Sequence, residues 1–499
     1  MNLLSAGAIA NQSLGAVSNQ ISVVSRNISG VNTPGYSAKT ALLSTSMDGG
    51  SEIEGIRRST NAALLRNSFQ ASAAQSGSSA ISDGLNLIDE FLTLSSGSAS
   101  DLSNSRSPAA AISGLASALQ QYSAAPANAS AAQTALARAK DLASSLRDAT
   151  DVTQQVRSNS DSTIATSVDD INRMLVEFEK VNNDIVAGTQ IGADITDSLD
   201  QRDVLLSKLS KEIGISTVVR SNNDMVVYAD GGATLFETTP RSVTFKPTGA
   251  FSAVTTGNAV YIDGVQVTGT SSSSLGIHTG RLAGLAHLRD VIAPNFQRQL
   301  DETARAIISA FAETDQSNSS RPPLPGLFTY PGATALPGSS LVPGLAGEIM
   351  VNPNADPTQG GDINRLRDGG VSRPGDPAYV YNATGAAGYS ARILQLVDSL
   401  SSQRAFDAAA GLGAAASVAS YATASIGWIE AQRQQAIKST NYQDARLSQT
   451  QQALSNATGV NLDDQMSRML TLEHSYQASA KLLATVNEMY LTLFDAIRI

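Results

Sequence analysis

The segment from Leu462 to Ile497 carries the pattern that most restricts how this chain can fold. Positions spaced alternately four and three residues apart in this segment are almost all apolar. They are Leu462, Met466, Met469, Glu473, Tyr476, Ala480, Leu483, Asn487, Tyr490, Phe494 and Ile497. An apolar repeat of this period, sustained over about five heptads, predicts a helix that packs against a partner helix along its length.

The surroundings of this helix are less restricted by the sequence. A second apolar stripe lies beside the seam, formed by Leu482, Met489 and Leu493 with Val486 between them. One partner would leave that stripe in water, so the helix is expected to pack on more than one side. The two polar seam residues, Glu473 and Asn487, either fix the pairing of the helices or simply point outward.

The best partner for this helix lies at the other end of the chain. Residues 3–31 show the same alternation with no charged member, through Leu3, Gly7, Ala10, Leu14, Val17, Ile21, Val24, Ile28 and Val31. The sequence therefore predicts that the two ends pair as a coiled coil. We expect an assembly interface on both helices: Leu3, Leu14, Val17, Ile21, Val24 and Ile28 on the first, and Leu462, Met466, Met469, Tyr476, Ala480, Leu483, Tyr490, Phe494 and Ile497 on the second.

The N-terminal helix is weak by itself. Serine and asparagine recur along it and compete for backbone hydrogen bonds, while β-branched residues occupy much of its seam. Burying one seam side chain contributes roughly 1.5–3 kcal/mol, whereas ordering each residue costs about 1–2 kcal/mol. With one partner helix the two contributions nearly cancel, so residues 3–31 are predicted to be disordered in the free monomer and to fold as subunits pack.

Composition disfavours several classes of protein. The net charge of −10 argues against a nucleic-acid binder and against adhesion to anionic lipid. The chain has no cysteine, which excludes disulfides, thiol catalysis and cysteine-based metal sites. His278, His287 and His474 lie in no metal-ligand spacing, and no cofactor is predicted. The start of the chain lacks a basic segment and no long apolar run follows, so neither a cleaved signal peptide nor a membrane span is predicted.

The middle of the chain reads as a helical bundle with two additions. Residues 61–315 and 385–460 are predicted to form the bundle, with β-hairpins over 215–268 where the apolar period changes to two. Asp263-Gly264 predicts a type I′ hairpin turn, and a helix break is expected near Gly427. Prolines and glycines cluster in residues 316–384, which we interpret as a small irregular or β-rich inserted outer domain. Residues 1–60 and 461–499 form the terminal module with its extended connector.

Two short motifs carry further structure. Thr33-Pro34-Gly35-Tyr36 fits a type II turn, because Pro presets φ at the second position and Gly accepts a positive φ at the third. In Asp200-Gln201-Arg202-Asp203, the arginine between two acids predicts a local charge network at a helix start. A catalytic carboxylate pair here would need a cleft and a substrate, and we consider that much less favoured.

These motifs resemble those of the bacterial flagellar rod, hook and hook-associated proteins. Asn27-Ile28-Ser29-Gly30-Val31-Asn32-Thr33-Pro34-Gly35-Tyr36 is similar to the family signature, apart from Ser29-Gly30 where the family usually has Ala-Asn. The Leu199–Leu206 segment and Arg289-Asp290 resemble segments of its hook–filament junction members. Tyr476-Gln477-Ala478-Ser479-Ala480 resembles the C-terminal motif of the axial proteins.

The resemblance implies a non-enzymatic structural subunit of an extracellular flagellum, positioned at the hook–filament junction. It implies self-assembly through the terminal helices and contacts with the hook protein and a second hook-associated junction protein. It further implies secretion by the flagellar type III apparatus and a cytoplasmic chaperone on the C-terminal helix, with no nucleic acid or membrane as partner.

Two alternatives remain at this stage. Another axial protein, the hook or the distal rod, would share the N-terminal signature but have a β-rich middle. A cell-wall hydrolase would need a carboxylate cleft in residues 316–384, with Asp356, Asp362 or Asp368 lining it.

Overall fold

The computed structural model describes residues 3–46, 49–93, 106–269 and 275–497, and over these the protein is mainly α-helical. The side chains of Leu3 and Ile497 lie outside what is described, although both residues are within helices. Asp48, in the predicted turn of the connector, also lies outside the described residues. The mainly α fold class is confirmed.

Twelve α-helices are described in this part of the chain. They are α1 (Leu3–Gly30), α2 (Ala62–Thr93), α3 (Pro108–Ala124), α4 (Ala129–Ile191), α5 (Thr196–Glu212), α6 (Arg281–His287), α7 (Ala293–Ala310), α8 (Leu345–Glu348), α9 (Arg365–Asp368), α10 (Ala391–Ser401), α11 (Val418–Thr458) and α12 (Leu462–Ile497). A π-helical turn, Leu288–Ile292, joins α6 to α7 without a break.

The strands are short and pair antiparallel. They are β1 (Lys39–Thr45), β2 (Ser51–Arg58), β3 (Ile215–Val219), β4 (Met225–Ala229), β5 (Thr234–Glu237), β6 (Thr239–Pro240), β7 (Val243–Thr244), β8 (Tyr261–Ile262), β9 (Val265–Gln266), β10 (Phe328–Thr329), β11 (Met350–Val351), β12 (Arg404–Ala405) and β13 (Ala415–Ala416). The larger sheets have the orders β3-β4-β5-β6 and β7-β8-β9. Asp263 and Gly264 have φ of 50° and 79°, as the predicted type I′ turn requires.

Helix α4 is the longest element, with 63 residues between an Asn128 N-cap and a left-handed Gly192 C-cap. Its sequence is polar overall, yet one stripe of it is buried in two separate cores. Leu142 and Leu146 lie in the first core with α3, α7, α10 and α11. Ile171 and Phe178 lie in the second core, with α5, α6 and the sheets. A single helix therefore spans both halves of the bundle.

A buried polar layer on α4 separates the two cores. Asp161 accepts from Arg289 Nη1 at 2.6 Å, and the Arg289 guanidinium also contacts Asp290. Arg157 Nη1 donates to Ser252 O at 2.8 Å, which ties the loop before β8 to the helix. Because buried charges are costly unless they are paired, this layer fixes how α4 sits against the π-helical turn.

Residues 316–384 share a core with the helices. Phe328, Ile349 and Leu366 belong to the same buried cluster as the upper part of α4. Asp301 on α7 is fully buried and accepts from Gly344 N and Ala346 N, both at 2.9 Å, which docks this segment on the bundle. Whether the segment counts as a separate outer domain stays a prediction, but its apolar side chains are packed together with those of the bundle.

One local expectation was wrong. Helix α11 runs through Gly427 without a break, because tertiary packing of Ile429 and Ala436 outweighs the helix penalty of one glycine. The extended connector, residues 37–60, contains the β1–β2 hairpin, with Lys39 paired to Arg58 and Thr45 to Ser51.

Candidate assembly surface and its joint with the bundle

Helices α1 and α12 pack against each other in antiparallel orientation. Asn27 Nδ2 donates to Gln465 Oε1 at 2.9 Å, and the Ser13 and Ser479 hydroxyls lie 3.4 Å apart. Gly7 faces Val486 near the start of α1. Within the described residues, neither core of the bundle has a member from α1 or α12. The two chain ends therefore pair with each other, as the sequence predicts.

The pairing within the subunit uses part of the predicted seam of α12. The buried and half-buried positions described on this helix are Gln465, Met469, Leu472, Ser479, Ala480, Leu483, Val486 and Tyr490. Four of them, Met469, Ala480, Leu483 and Tyr490, are predicted seam members, whereas Tyr476 is exposed. At the other positions the observed seam is rotated by one residue from the predicted one. Leu462, Met466 and Phe494 are exposed, and Ala480 is half-buried. Because the observed seam accepts Gln465 and Ser479, apolarity alone could not identify it.

This rotation explains the two polar residues of the predicted seam. Glu473 and Asn487 are both exposed, one position beyond Leu472 and Val486 of the true seam. Of the two interpretations left open by the sequence, the structure supports the simpler one. They point outward and do not set the pairing.

Exposed apolar side chains flank the seam of α12 on both sides. Leu482 and Met489 each precede a seam residue and are 52% and 45% exposed. Met466, Leu470 and Leu491 each follow a seam residue and are exposed as well, as is Phe494 at 67%. Since successive residues are about 100° apart on a helix, these two sets lie on opposite sides of the pair. We call them the first flank (Leu482, Met489) and the second flank (Met466, Leu470, Leu491, Phe494).

Helix α1 is covered from two directions. Val17 and Val24 are buried, whereas Leu14, Ile21 and Ile28 are only half-buried. The β1–β2 hairpin packs on another side of the helix, near Ile9 and Gln12. The predicted interface residues of α1 therefore divide into members packed within the subunit and members left partly open.

Asn27 of the signature links α1, the turn and α12. Its Nδ2 donates to Lys39 O at 2.8 Å in addition to Gln465. Its Oδ1 accepts from Lys39 N at 2.9 Å and from Tyr36 Oη at 3.0 Å. Every donor and acceptor of this buried amide is used, which explains why the position requires asparagine.

The signature turn is of the predicted type. Gly35 has φ of 81° and Tyr36 N donates to Thr33 O at 3.1 Å, as a type II turn requires. A side chain at Gly35 would overlap Val204 of α5. A Cβ at Gly30 would lie 2.7 Å from the Tyr36 ring, so Gly30 makes room for that ring. Asn32, Thr33 and Pro34 are exposed at the surface of the turn.

Four aspartates spaced three residues apart join this terminal module to the bundle. We call Asp194, Asp197, Asp200 and Asp203 the aspartate ladder; Asp194 lies just before α5, and the other three lie in its first half. Arg26 of α1 pairs with Asp194 and Asp197 at 2.9 and 2.7 Å. Lys39 of β1, whose side chain is fully buried, pairs with Asp197 and with Asp200 at 3.2 Å. Arg58 of β2 pairs with Asp200 and Asp203 at 2.9 and 2.7 Å.

The predicted charge network was correct for its acids and wrong for its base. Asp200 and Asp203 bind Arg58, not Arg202. Arg202 lies on another side of α5, where its Nη1 donates to Asn223 O at 2.6 Å and to Asn182 Oδ1 at 3.2 Å. Arg202 is two residues from Asp200 and one from Asp203, and residues at these spacings do not face each other on a helix. The cations from the terminal module could not be foreseen without the fold. The signal that the sequence did carry was the spacing of the four aspartates.

At this joint, burial and ion pairing shift the pKa values of the charged groups in opposite directions. Burial acts to lower the pKa of Lys39, but the Asp197 and Asp200 carboxylates outweigh it and raise that pKa above its ordinary value. For Asp194, the hydrogen bonds from Thr196 and Arg26 outweigh burial and lower the pKa. For Asp203, burial outweighs Arg58 and raises the pKa. Burial lowers the pKa of Arg202 to about 10.

The three carboxylates named for the hydrolase alternative have structural partners among the described residues. No cluster of histidine and carboxylate side chains that could hold a metal ion occurs among them. Asp356 is buried beside Thr358 and pairs with Lys140 at 2.7 Å, and Asp368 pairs with Arg367. Asp362 accepts from Asn364 N at 2.9 Å within its own turn. These three carboxylates serve local structure and ion pairs, contrary to the requirement of the hydrolase alternative.

None of the helices within the described ranges has both the length and the hydropathy to span a bilayer.

Comparison with known proteins finds similarity to flagellar proteins. Residues 100–320 match the family described as the flagellar hook-associated protein FlgK helical domain, and residues 450–495 match the flagellar basal body rod FlgEFG protein C-terminal family. Flagellar hook-associated protein 1 of Escherichia coli (strain K12) is 23% identical over 310 residues, which cover 60% of this chain and 54% of that protein. The protein of the same name from Bacillus subtilis (strain 168) is 21% identical over 359 residues, covering 66% and 65%. The chain thus spans about half the length of the first of these relatives.

A solved structure, the flagellar hook junction protein FlgK from Burkholderia pseudomallei, is 25% identical with a TM-score of 0.39. That match covers 52% of this chain and 46% of the other. The terminal helix pair, the signature turn and the matches over residues 100–320 and 450–495 support the class of bacterial flagellar axial proteins. Within that class, the match over residues 100–320 and the similar curated proteins support a hook-associated protein of the FlgK type.

Proposed function

We propose that this protein is a structural subunit of the hook–filament junction that assembles through its terminal helices. The observation that carries the proposal is the helix pair α1–α12, which belongs to neither core and exposes apolar side chains on both flanks of α12. Contiguous exposed apolar surface of this kind is typical of an interaction site. The half-buried Leu14, Ile21 and Ile28 extend the same surface onto α1.

Two flanks on opposite sides of one helix pair favour an open or cyclic array over a simple dimer. A flank that contacts a different surface of the next copy makes a head-to-tail contact, and repeated contacts of this kind give rings or helical tubes. Copies arranged in this way would form a wall from their terminal helices, with the bundles outside it. The neighbours at each end of such an array would be the hook protein and the second hook-associated junction protein.

The route to that location is part of the same proposal. We infer that the chain leaves the cell through the flagellar type III apparatus without a cleaved signal peptide, and that a cytoplasmic chaperone covers the C-terminal helix before export. The exposed flanks of α12 support the chaperone, because they would otherwise be open to water and to other chains. A chain without cysteine needs no disulfide formation after export.

The assembly proposal is tested with substitutions that leave the subunit intact. Leu482→Ser with Met489→Ser removes the first flank, and Leu470→Ser with Leu491→Ser removes part of the second. Each pair forfeits about 3 kcal/mol of apolar burial between copies, so the critical concentration for polymerisation should rise by about a hundredfold. Sedimentation and negative-stain microscopy measure the polymer.

Val176→Ser is the matched control, because Val176 is 59% exposed on α4 and belongs to neither flank. This control should polymerise as the parent chain does. Unchanged circular dichroism and thermal unfolding would show that each variant subunit is still folded. Normal polymerisation of both flank variants would contradict the proposal.

Labelling the protein on intact flagella distinguishes it from the other axial proteins. An antibody or a tag should mark a single position where the hook meets the filament. Labelling along the whole hook or within the rod would instead support the alternatives of a hook or distal-rod protein.

A further inference from the structure

We propose that the aspartate ladder, with Arg26, Lys39 and Arg58, is a latch that sets the angle between the terminal helix pair and the bundle. The three cations belong to α1, β1 and β2 of the terminal module, and the four carboxylates belong to the bundle. Each cation contacts two neighbouring aspartates, so the three cations are spaced along the whole ladder.

Other contacts across this joint include two hydrogen bonds and one packing contact. Ser37 Oγ donates to Asp200 Oδ1 at 2.6 Å, which adds a neutral partner to the ladder. Ala38 N donates to Thr458 O at 2.8 Å, at the end of α11. Gly35 packs directly against Val204. The terminal module is thus held on α5 mainly by directional polar contacts, and α1 and α12 take no part in the cores that hold the bundle together.

A polar joint behaves differently from an apolar one. Ion pairs and hydrogen bonds depend on direction, so they fix an angle more closely than apolar packing does. They also open without exposing apolar surface, because each charged group can be hydrated by water when it loses its partner. The ladder therefore holds a defined angle in the folded subunit.

The contacts of the ladder differ in strength along its length. At the outer end, Arg26 and Asp197 are exposed to solvent, with side-chain exposures of 33% and 62%. At the inner end, Lys39 is fully buried and Asp200 is 9% exposed. Exposed ion pairs contribute little, whereas leaving one partner of a buried pair alone is costly. Loss of the inner contacts should therefore release the module, and loss of the outer ones should have a small effect.

The consequence for assembly rests on the proposed function. Copies that pack through both their terminal helices and their bundles must make contacts at two places in the molecule at once. A subunit whose angle is already set loses less freedom on binding, and so it assembles faster and at a lower concentration. On this view the ladder residues position the assembly surface without belonging to it.

The absence of cysteine allows a direct measurement of the angle. Spin labels at Ser162→Cys on α4 and Ser467→Cys on α12 report the distance between bundle and terminal pair, since both serines are exposed. The monomer should give one narrow distance distribution. Arg58→Gln removes the ion pairs of Arg58 with Asp200 and Asp203 and should at least double the width of the distribution. Arg58→Lys keeps the charge within reach of Asp200 and Asp203, and it should restore the narrow distribution.

Two controls separate the latch from general stability. Arg26→Gln should broaden the distribution only slightly, and Arg138→Gln, which removes an exposed ion pair elsewhere on α4, should leave it unchanged. Circular dichroism should be the same for all variants. Equal widths for Arg58→Gln and the parent, or equal broadening by Arg58→Lys and Arg58→Gln, would overturn the latch.

The same samples distinguish failure of the latch from failure of the proposed function. A narrow distribution in a chain that does not polymerise would leave the latch standing and contradict the assembly role. A broad distribution in the parent chain that still polymerises would contradict the latch alone.

Discussion

Asn27 shows how one buried amide can join three parts of the molecule. It accepts from Tyr36 and Lys39 and donates to Lys39 and Gln465, so α1, the turn with its hairpin, and α12 meet at a single side chain. The sequence identified the position only through its place in the signature. The geometry explains it, because no other residue of this size offers two donors and two acceptors.

Asn27→Ala should therefore loosen the terminal module without unfolding the bundle. The substitution leaves buried partners such as Lys39 N unsatisfied, at a cost on the order of 3 kcal/mol. Amide exchange of the β1–β2 hairpin should accelerate by about a hundredfold, because exchange reports local opening. Asn32→Ala, in the exposed turn, should leave exchange unchanged. Identical exchange in the two variants would show that the amide has no such role.

Asp301 gives the bundle a pH dependence of its own. Burial raises the pKa of Asp301 to about 6, against the hydrogen bonds from Ala346 and Gly344 that favour the carboxylate. Its folded pKa lies above its unfolded value, so the stability that it contributes is full below about pH 4 and is lost as the pH rises through 6. The shift corresponds to a contribution on the order of 3 kcal/mol.

This contribution can be isolated by comparison with Asp301→Asn. The difference in the free energy of unfolding, parent minus variant, should fall as the pH rises from 4 to 7, because only the parent has the titrating group. Denaturant unfolding at several pH values measures it. A difference that does not change with pH would mean that Asp301 titrates normally.

At the level of elements, α12 shows what an apolar pattern can and cannot decide. The repeat correctly predicted a long helix and a partner at the other end of the chain. It identified only part of the seam within the subunit, because the exposed Met466 and Phe494 are more apolar than Gln465 and Ser479, which occupy the observed seam. The most apolar stripe of a helix that assembles with other copies need not be the one buried within the subunit. Much of it is exposed in a single subunit.

The predicted disorder of residues 3–31 in the monomer stays a prediction. The structure indicates that the N-terminal end of α1 should be the less stable end. The C-terminal half of α1 is held by Asn27 and by the Arg26 ion pairs, whereas Gly7 and Leu4 at the other end have thinner cover. Amide exchange on the monomer should show rapid exchange over residues 3–15 and slower exchange over 16–30. Polymerisation should slow both. Uniform strong protection in the monomer would refute the expectation that this helix gains order on assembly.

For the whole molecule, the division into modules leads to a truncation experiment. Residues 61–460 contain both cores and should fold without the terminal segments, with a main thermal transition within about 4 °C of the parent chain. The fragment should remain monomeric at concentrations where the parent polymerises. Light scattering and calorimetry measure the two properties. A fragment that fails to fold would show that the terminal helices support the bundle as well as each other.

The sequence predicted the order of helices and the hairpins well, and it predicted contacts between distant segments poorly. Long periodic runs and turn residues are local signals, so α4 and the Asp263-Gly264 turn could be anticipated. The partners of Asp200 and Asp203 come from residues more than a hundred positions away, and no local pattern selects Arg58 over Arg202. The shared core of residues 316–384 escaped prediction for the same reason, since proline and glycine indicate turns but not what those turns pack against.

Helix α4 has a mechanical consequence for the subunit. Its 63 residues extend over about 95 Å as one uninterrupted helix, and side chains of both cores grip it along its length. Bending or twisting applied to the subunit meets a stiff rod there. The deformation is then taken up at the aspartate ladder, which follows the end of α4. There, charged groups can exchange partners while the chain stays folded.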